Sequence, residues 1–193
     1  MRKFEKLSHL KCDIPLPKRS TAKSAGYDIS IIHPFVYQLM EKDGCSMEKA
    51  WETVQETYGN IYYIPKEKEN FVFPTGVKAS MEDNEVLMLF IRSSVGIKQH
   101  IKLSNQTGII DADYYNNPDN EGHIMVALDI PKRIIPDREP SLFTEDEYNM
   151  ARYLQFDGPT MRICQGIFLD YQTTDDDSVS EKRTGGIGST GKA

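Results

Sequence analysis

The feature that most constrains this chain is a series of short apolar runs, each closed by turn-forming residues. Val86-Leu87-Met88-Leu89-Phe90-Ile91 is continuous and short enough for a buried strand. His123-Ile124-Met125-Val126-Ala127-Leu128 and the stretch from Ile163 to Tyr171 read the same way. Phe71-Val72-Phe73 stops at Pro74-Thr75-Gly76, a strand followed by a turn. Many short strands at this spacing predict a mainly β domain, a sandwich or a barrel. A length of 193 residues suits one such domain with insertions.

Two stretches break the pattern. From Pro34 to Tyr58 the period becomes helical. Ser46 can cap a helix whose apolar positions are Met47, Ala50, Trp51, Val54 and Tyr58, and Asp43-Gly44 makes the turn before it. The spacing predicts a hairpin of two short helices. From Asp137 to Asp157, Thr144-Glu145-Asp146-Glu147 forms a capping box before Tyr148, Met150 and Ala151. Both read as insertions, since each is too short to bury a core alone. The residues from Gln172 onward are rich in Thr, Asp, Ser and Gly and read as a mobile tail following a 1–171 domain.

Charge and cysteine usage narrow the function. Lys and Arg number 23 against 29 Asp and Glu, a formal net charge of −6, so a basic nucleic-acid-binding face is not expected. A small anionic ligand needs only a local pocket. The chain carries no apolar run of membrane-spanning length and no signal-like apolar start, so neither a membrane nor a secreted location is expected. Cys12, Cys45 and Cys164 are widely spaced and suit a reducing, cytoplasmic compartment. No pair of histidines has zinc-ligand spacing.

The tail contains Gly185-Gly186-Ile187-Gly188-Ser189-Thr190-Gly191-Lys192, which matches both GxGxxG and GxxxxGK. Each pattern needs a strand before it and a helix after it, and only Ala193 follows, so the dinucleotide-fold and P-loop readings are rejected. The glycines and hydroxyls can still wrap phosphates as an arm.

Four further segments carry chemistry. Ala25-Gly26-Tyr27-Asp28 is a turn with an acid. Arg92-Ser93-Ser94 follows the apolar strand, where a guanidinium fork and two hydroxyls suit a phosphate; a salt-bridged surface turn is the alternative. Asn105 to Tyr114 reads as strand, glycine turn, strand, then acids. A hairpin there presents backbone groups to the edge of a base, with Asn105, Gly108 and Ile110 at hand. Asp111 follows an apolar pair, so partial desolvation and water activation are expected of it, against simple turn capping. Tyr114 reads as a ring offered to a sugar or as a half-buried surface tyrosine. Gln165 is an amide inside an apolar strand, satisfied by backbone or by ligand.

In this order and spacing, the segments resemble the five motifs of the trimeric deoxyuridine triphosphate nucleotidohydrolases, the dUTPases. Ala25-Gly26-Tyr27-Asp28 looks like the first, Arg92-Ser93-Ser94 the second and Gly108-Ile109-Ile110-Asp111-Ala112-Asp113-Tyr114 the third. Arg162-Ile163-Cys164-Gln165 looks like the fourth and Arg183 to Gly191 the fifth. The resemblance implies a distorted jelly-roll β-barrel that hydrolyses dUTP to dUMP and pyrophosphate, limiting uracil in DNA and supplying dUMP for thymidylate. It implies that Asp111 holds the attacking water and that Tyr114 stacks on the deoxyribose and excludes a 2'-hydroxyl. Asn105 and the hairpin backbone at Gly108 and Ile110 would read uracil. Arg92, Ser93, Ser94 and Gln165 would bind phosphates, and Arg183, Ile187, Gly188, Ser189 and Thr190 would close over the nucleotide from the arm. It further implies sites shared among the subunits of a homotrimer, with Mg²⁺ held mainly by the triphosphate and reaching Asp28 only through water.

Three departures stand out: Ile187 replaces the family's usual aromatic, Asn116-Asn117-Pro118-Asp119-Asn120 is extra, and Cys164 replaces a small alanine. Two other readings remain. The related dCTP deaminases share the fold and the Arg-Ser-Ser segment but lack the glycine-rich arm. A regulatory binding protein would use the Met47 and Trp51 face of the helical insertion to hold a protein partner.

Overall fold

Alternation and burial organise the strands. The computed structural model describes residues 1–65, 71–133, 151–179, 183 and 185. In chain order the elements are β1 (Lys3–Lys6), β2 (Lys18–Arg19), β3 (Tyr27–Ile32), α1 (Pro34–Asp43), α2 (Met47–Tyr58), β4 (Ile61–Tyr63), β5 (Phe71–Pro74) and β6 (Val77–Ser80). They continue with β7 (Glu85–Ile91), α3 (Ser93–Gln99), β8 (Lys102–Leu103), β9 (Gly108–Asp111), a 3₁₀ turn (Ala112–Tyr114), β10 (Met125–Asp129), β11 (Tyr153–Gln155) and β12 (Thr160–Asp170). The architecture is mainly β, as the apolar runs predict. A five-stranded sheet, β2-β3-β12-β7-β9, faces a three-stranded sheet, β5-β10-β8, and every pair is antiparallel. Ile29, Ile31, Leu87, Leu89 and Ile163 from the first sheet and Phe73, Val126 and Leu128 from the second are buried in one core. Such burial contributes roughly 1.5–3 kcal/mol per large apolar side chain.

The stretch from Pro34 to Tyr58 forms two helices. Gly44 ends α1 in the left-handed region, and the Ser46 hydroxyl accepts from the Lys49 N–H to start α2. Their apolar stripe turns inward: Val36 and Met40 from α1 and Met47, Ala50, Trp51 and Val54 from α2 join the core. The Met47 and Trp51 face is therefore not free for a partner, because the β domain itself covers it. His33, just before α1, is fully buried among Phe35, Trp51, Tyr62 and Phe156, with ring centroids 4.8 to 5.8 Å away. Neither ring nitrogen has a hydrogen-bond partner among the described residues.

The capping box at Thr144 lies outside the described residues. At the far end of that insertion the chain is extended rather than helical. Its strand β11 pairs with β4, Leu154 opposite Tyr62, so the two insertions meet in a two-stranded ribbon.

Candidate active site

Most of the predicted site residues fall into two groups, set apart by the register of the five-stranded sheet. The first surrounds a cavity of about 370 Å³ between the two sheets, lined by Asn105, Gly108, Ile109, Ile110 and Tyr114 among others. The sequence reads this segment as a hairpin, and the structure corrects that. Strand β8 pairs with β10 and β9 pairs with β7, so the two arms diverge into different sheets. The turn between them bends through Gln106, whose φ is 61°. Each arm is the edge strand of its sheet, and an edge presents a row of backbone N–H and C=O groups. The divergence leaves the cavity between the sheets, and residues of both edges line it. Tyr114 closes one side. It is buried, not a surface tyrosine, and its hydroxyl donates to the His123 carbonyl at 3.0 Å.

Asp111 ends β9, and its side chain is 52% exposed, so the expected desolvation is absent. The reason is its place: it terminates an edge strand, where the chain leaves the sheet as a 3₁₀ turn. Arg183 donates to its Oδ2 at 2.7 Å and lies 3.5 Å from Asp113 Oδ1. The same guanidinium sits 5.0 Å above the centre of the Tyr114 ring. Within one chain, Arg183 thus lies on the tyrosine face and not among phosphate-type groups. Ile187, Gly188, Ser189 and Thr190 lie outside the described residues.

The second group centres on Asp28. This buried carboxylate accepts from Ser20 Oγ at 2.7 Å, Gln165 Nε2 at 3.2 Å and Arg162 Nη1 at 3.3 Å, and Arg92 Nε lies 3.2 Å away. Burial pushes the carboxyl up. The hydrogen bonds from Ser20 and Gln165 and the two guanidinium charges outweigh it, so Asp28 is held below the usual carboxylate range.

A bulge in β12 makes the cluster possible. Side chains alternate along a strand, so Arg162 and Gln165 would ordinarily face opposite sides. The register shifts between Arg162 and Cys164, and the additional Ile163 reverses the alternation. Both side chains then meet Asp28. Gly26 keeps the space open, because a Cβ there would stand 3.0 Å from the Gln165 Cβ. Cys164 points the other way into the core, and burial pushes its thiol up to about 12.

Ser93 and Ser94 open α3 instead of standing in a plain turn. Ser94 lines a cavity of about 420 Å³ together with Arg92, Arg133 and Arg162. A second cavity, of about 280 Å³, is lined by Lys18, Arg19, Ser20, Arg162 and Asp28 itself. Guanidinium forks and hydroxyls bordering hollows can take oxyanions. The sequence offered no sign of Ser20, and it placed Arg162 in a motif without giving its side chain a role. The bulge, invisible in a residue pattern, turns Arg162 toward Asp28.

The two groups do not meet in one chain. Asp111 pairs with Val86 on β7, whereas Asp28 pairs with Gln165, which pairs with Phe90. At the usual rise along a strand and spacing between strands, the Cα atoms of Asp111 and Asp28 are about 20 Å apart.

Comparison with known proteins places this geometry. No family model matches the chain. The deoxyuridine 5'-triphosphate nucleotidohydrolase of Lactococcus lactis subsp. lactis is 37% identical over 194 residues, covering 99% of this chain and 98% of that protein. The enzyme of the same name from Methylobacillus flagellatus is 28% identical over 130 residues, 64% of this chain and 70% of its own length. Among solved structures, a dUTPase from Streptococcus mutans aligns with a TM-score of 0.54 at 30% identity, over 89% of this chain and 98% of its own. A dUTPase from phage phi11 of Staphylococcus aureus, described with a structural Mg(II) ion, shares the fold at a TM-score of 0.54 and 17% identity, over 94% of this chain and 97% of its own. With a relative this similar along nearly its whole length, the chain belongs to the deoxyuridine 5'-triphosphate nucleotidohydrolase family, the dUTPases.

Proposed function

We propose that this chain hydrolyses dUTP to dUMP and pyrophosphate at sites completed by further copies of itself. The observation that carries the reading is the division just described, a nucleoside-sized cavity with an adjacent carboxylate and a separate guanidinium cluster. Asn105 and the diverging edges at Gly108 and Ile110 read the uracil. Tyr114 lies under the deoxyribose. Asp111 orients a water and takes its proton as the water oxygen bonds to the α-phosphorus and the bond to the departing pyrophosphate breaks. Arg92, Ser93, Ser94 and Gln165, presented by a neighbouring copy, hold the phosphates. A homotrimer with shared sites brings the two halves together.

The segment after residue 171 acts as a closing arm, with Arg183, Ile187, Gly188, Ser189 and Thr190 covering the nucleotide and excluding water. Arg183 then leaves the Tyr114 face for the phosphates and frees Asp111.

A triphosphate brings Mg²⁺ as its counter-ion. The two oxygens of Asp28 already serve three hydrogen-bond donors and two guanidinium charges, so the chain suits a cation held by the nucleotide, with water between it and Asp28. When bound, Mg²⁺ neutralises charge on the phosphates. Among the described residues no helix is long and apolar enough to cross a membrane, and Cys12, Cys45 and Cys164 are free thiols, which suits a reducing cytoplasm.

The test is a panel of nucleoside triphosphates assayed for pyrophosphate and for ammonia release, with and without Mg²⁺. Pyrophosphate from dUTP alone is expected. Ammonia release from dCTP would overturn the reading in favour of a deaminase.

A further inference from the structure

We propose that Asn120 is a specificity-determining positioning residue, which with the His123 carbonyl locks the Tyr114 ring so that the nucleoside pocket excludes a 2'-hydroxyl. The proposal rests on the reading of Tyr114 as the sugar-facing surface. It gives a use to the extra asparagine-rich stretch, which the family motifs leave unassigned.

A tyrosine hydroxyl has one hydrogen to give and lone pairs to receive. Here both functions are engaged: it donates to the His123 carbonyl at 3.0 Å and accepts from Asn120 Nδ2 at 2.8 Å. Asn120 is itself held. Its Oδ1 accepts from Asn117 Nδ2 at 2.8 Å and from the Gly122 N–H at 3.0 Å. Asn117 is 4% exposed, and its Oδ1 receives the N–H groups of Asp119 and Asn120 while its Nδ2 also donates to the Tyr114 carbonyl. The loop therefore grips Tyr114 at the backbone and at the tip of its ring. Gly122 is needed for this closure: its φ is 81°, and a Cβ there would stand 2.5 Å from the Tyr114 carbonyl oxygen.

The loop is anchored on its far side as well. His123 Nε2 accepts from the N–H groups of Thr75 and Gly76 at 3.2 and 3.0 Å, and its ring stacks on Tyr37 of α1 at 5.5 Å. Lys78 ties Asn116 and Glu121 together from β6. The loop is thus tied at Asn116 and Glu121 to β6 and at His123 to the helical insertion and to Thr75 and Gly76. Rejecting one added hydroxyl by shape requires a wall that does not yield. A phenol tethered at its tip cannot tilt away from the sugar, whereas an untethered ring can.

The experiment measures KM for dUTP and the inhibition constant of UTP in the full-length protein and in Tyr114→Phe, Asn120→Ala, the double variant and Tyr114→Ala. Asn120→Ala removes one hydrogen bond that resists ring displacement and Tyr114→Phe removes that bond together with the one to the His123 carbonyl, so UTP is expected to tighten relative to dUTP about tenfold in the first and at least as much in the second. The double variant is expected to match Tyr114→Phe, which has already lost the Asn120 bond. Tyr114→Phe leaves the loop sequence intact, so it decides the matter if Asn120→Ala does not fold. Unchanged relative affinities in Tyr114→Phe and Asn120→Ala, beside a collapsed discrimination in Tyr114→Ala, would overturn the positioning role and leave the sugar-facing role standing. Unchanged discrimination in Tyr114→Ala would remove the sugar-facing role, and the proposal with it.

Discussion

Arg183 and Asp111 are joined at 2.7 Å, the cation from near the C-terminus resting on the acid proposed to activate water. Arg183 occupies Asp111 Oδ2, so that oxygen is open to a water only when the guanidinium has moved. On the proposed reading, Arg183 moves off Asp111 when the nucleotide binds. Asp111→Asn is expected to lose roughly 10²–10⁴-fold in kcat while still binding dUTP, as shown by equilibrium binding of a non-hydrolysable analogue. Turnover near that of the parent would remove Asp111 from the mechanism.

The distance between the two residue groups predicts complementation. Asp111→Asn and Gln165→Ala chains, each inactive alone, are mixed, unfolded and refolded together. If every site takes Asp111 from one copy and Gln165 from another, about a quarter of the sites in an equal mixture are intact. Recovered activity near that share supports shared sites, and none at all argues for sites built within single chains.

Asp28 holds two arginines in place. Asp28→Ala leaves Arg92 and Arg162 facing each other without their counter-charge, at an expected cost of roughly 2–3 kcal/mol, reduced from a fully buried pair because Arg162 is solvent-exposed. Thermal unfolding at pH 7 measures it. The carboxyl titrates below its unfolded value, so its stabilisation is complete above the ordinary carboxylate range and fades as pH falls through the folded value. The parent should lose more stability than Asp28→Ala on acidification.

His33 gives a second pH signature. Burial lowers it to about 4 from an ordinary 6.5. Between those values the unfolded chain binds a proton that the folded chain refuses, so stability falls as pH drops from 6.5 to 4, by about 3 kcal/mol for this residue. His33→Phe is expected to remove that part of the slope. It should also stabilise the protein at pH 7 by about 1 kcal/mol, by deleting two nitrogens that have no partner among the described residues from an aromatic setting. Denaturant titrations at pH 4.5 and 7 test both. Lower stability of the variant at both pH values would show that the histidine is better accommodated than its surroundings suggest.

How much of this was legible in the residues follows from range. Strand β7 and the helix caps at Gly44 and Ser46 are local signals, and each appears where the pattern predicts it. The splayed arms around Gln106 were not legible, because a glycine turn between two strands looks the same whether the strands pair together or leave for different sheets. The bulge at Ile163 was hidden too, since a sequence does not show where alternation slips. Asn117 and Asn120 read as surplus polar residues because their partners, Tyr114 and Gly122, are reached only once the loop closes. Asp111 looked sheltered by its apolar neighbours, yet an edge-strand end leaves it open.

The ribbon of β4 and β11 has a consequence for how such a chain could be altered or acquired. Each strand satisfies the other's backbone, and Tyr62 and Leu154 are buried where they face each other. Excising the helical hairpin together with β4 would leave Tyr153–Gln155 with a bare edge, the kind of surface that recruits strands from other molecules. Losing Tyr153–Gln155 would strand Ile61–Tyr63 in the same way. The two additions to the β domain, nearly a hundred residues apart in the chain, are therefore one inheritable unit: gained together they are silent, and either alone is an invitation to aggregate.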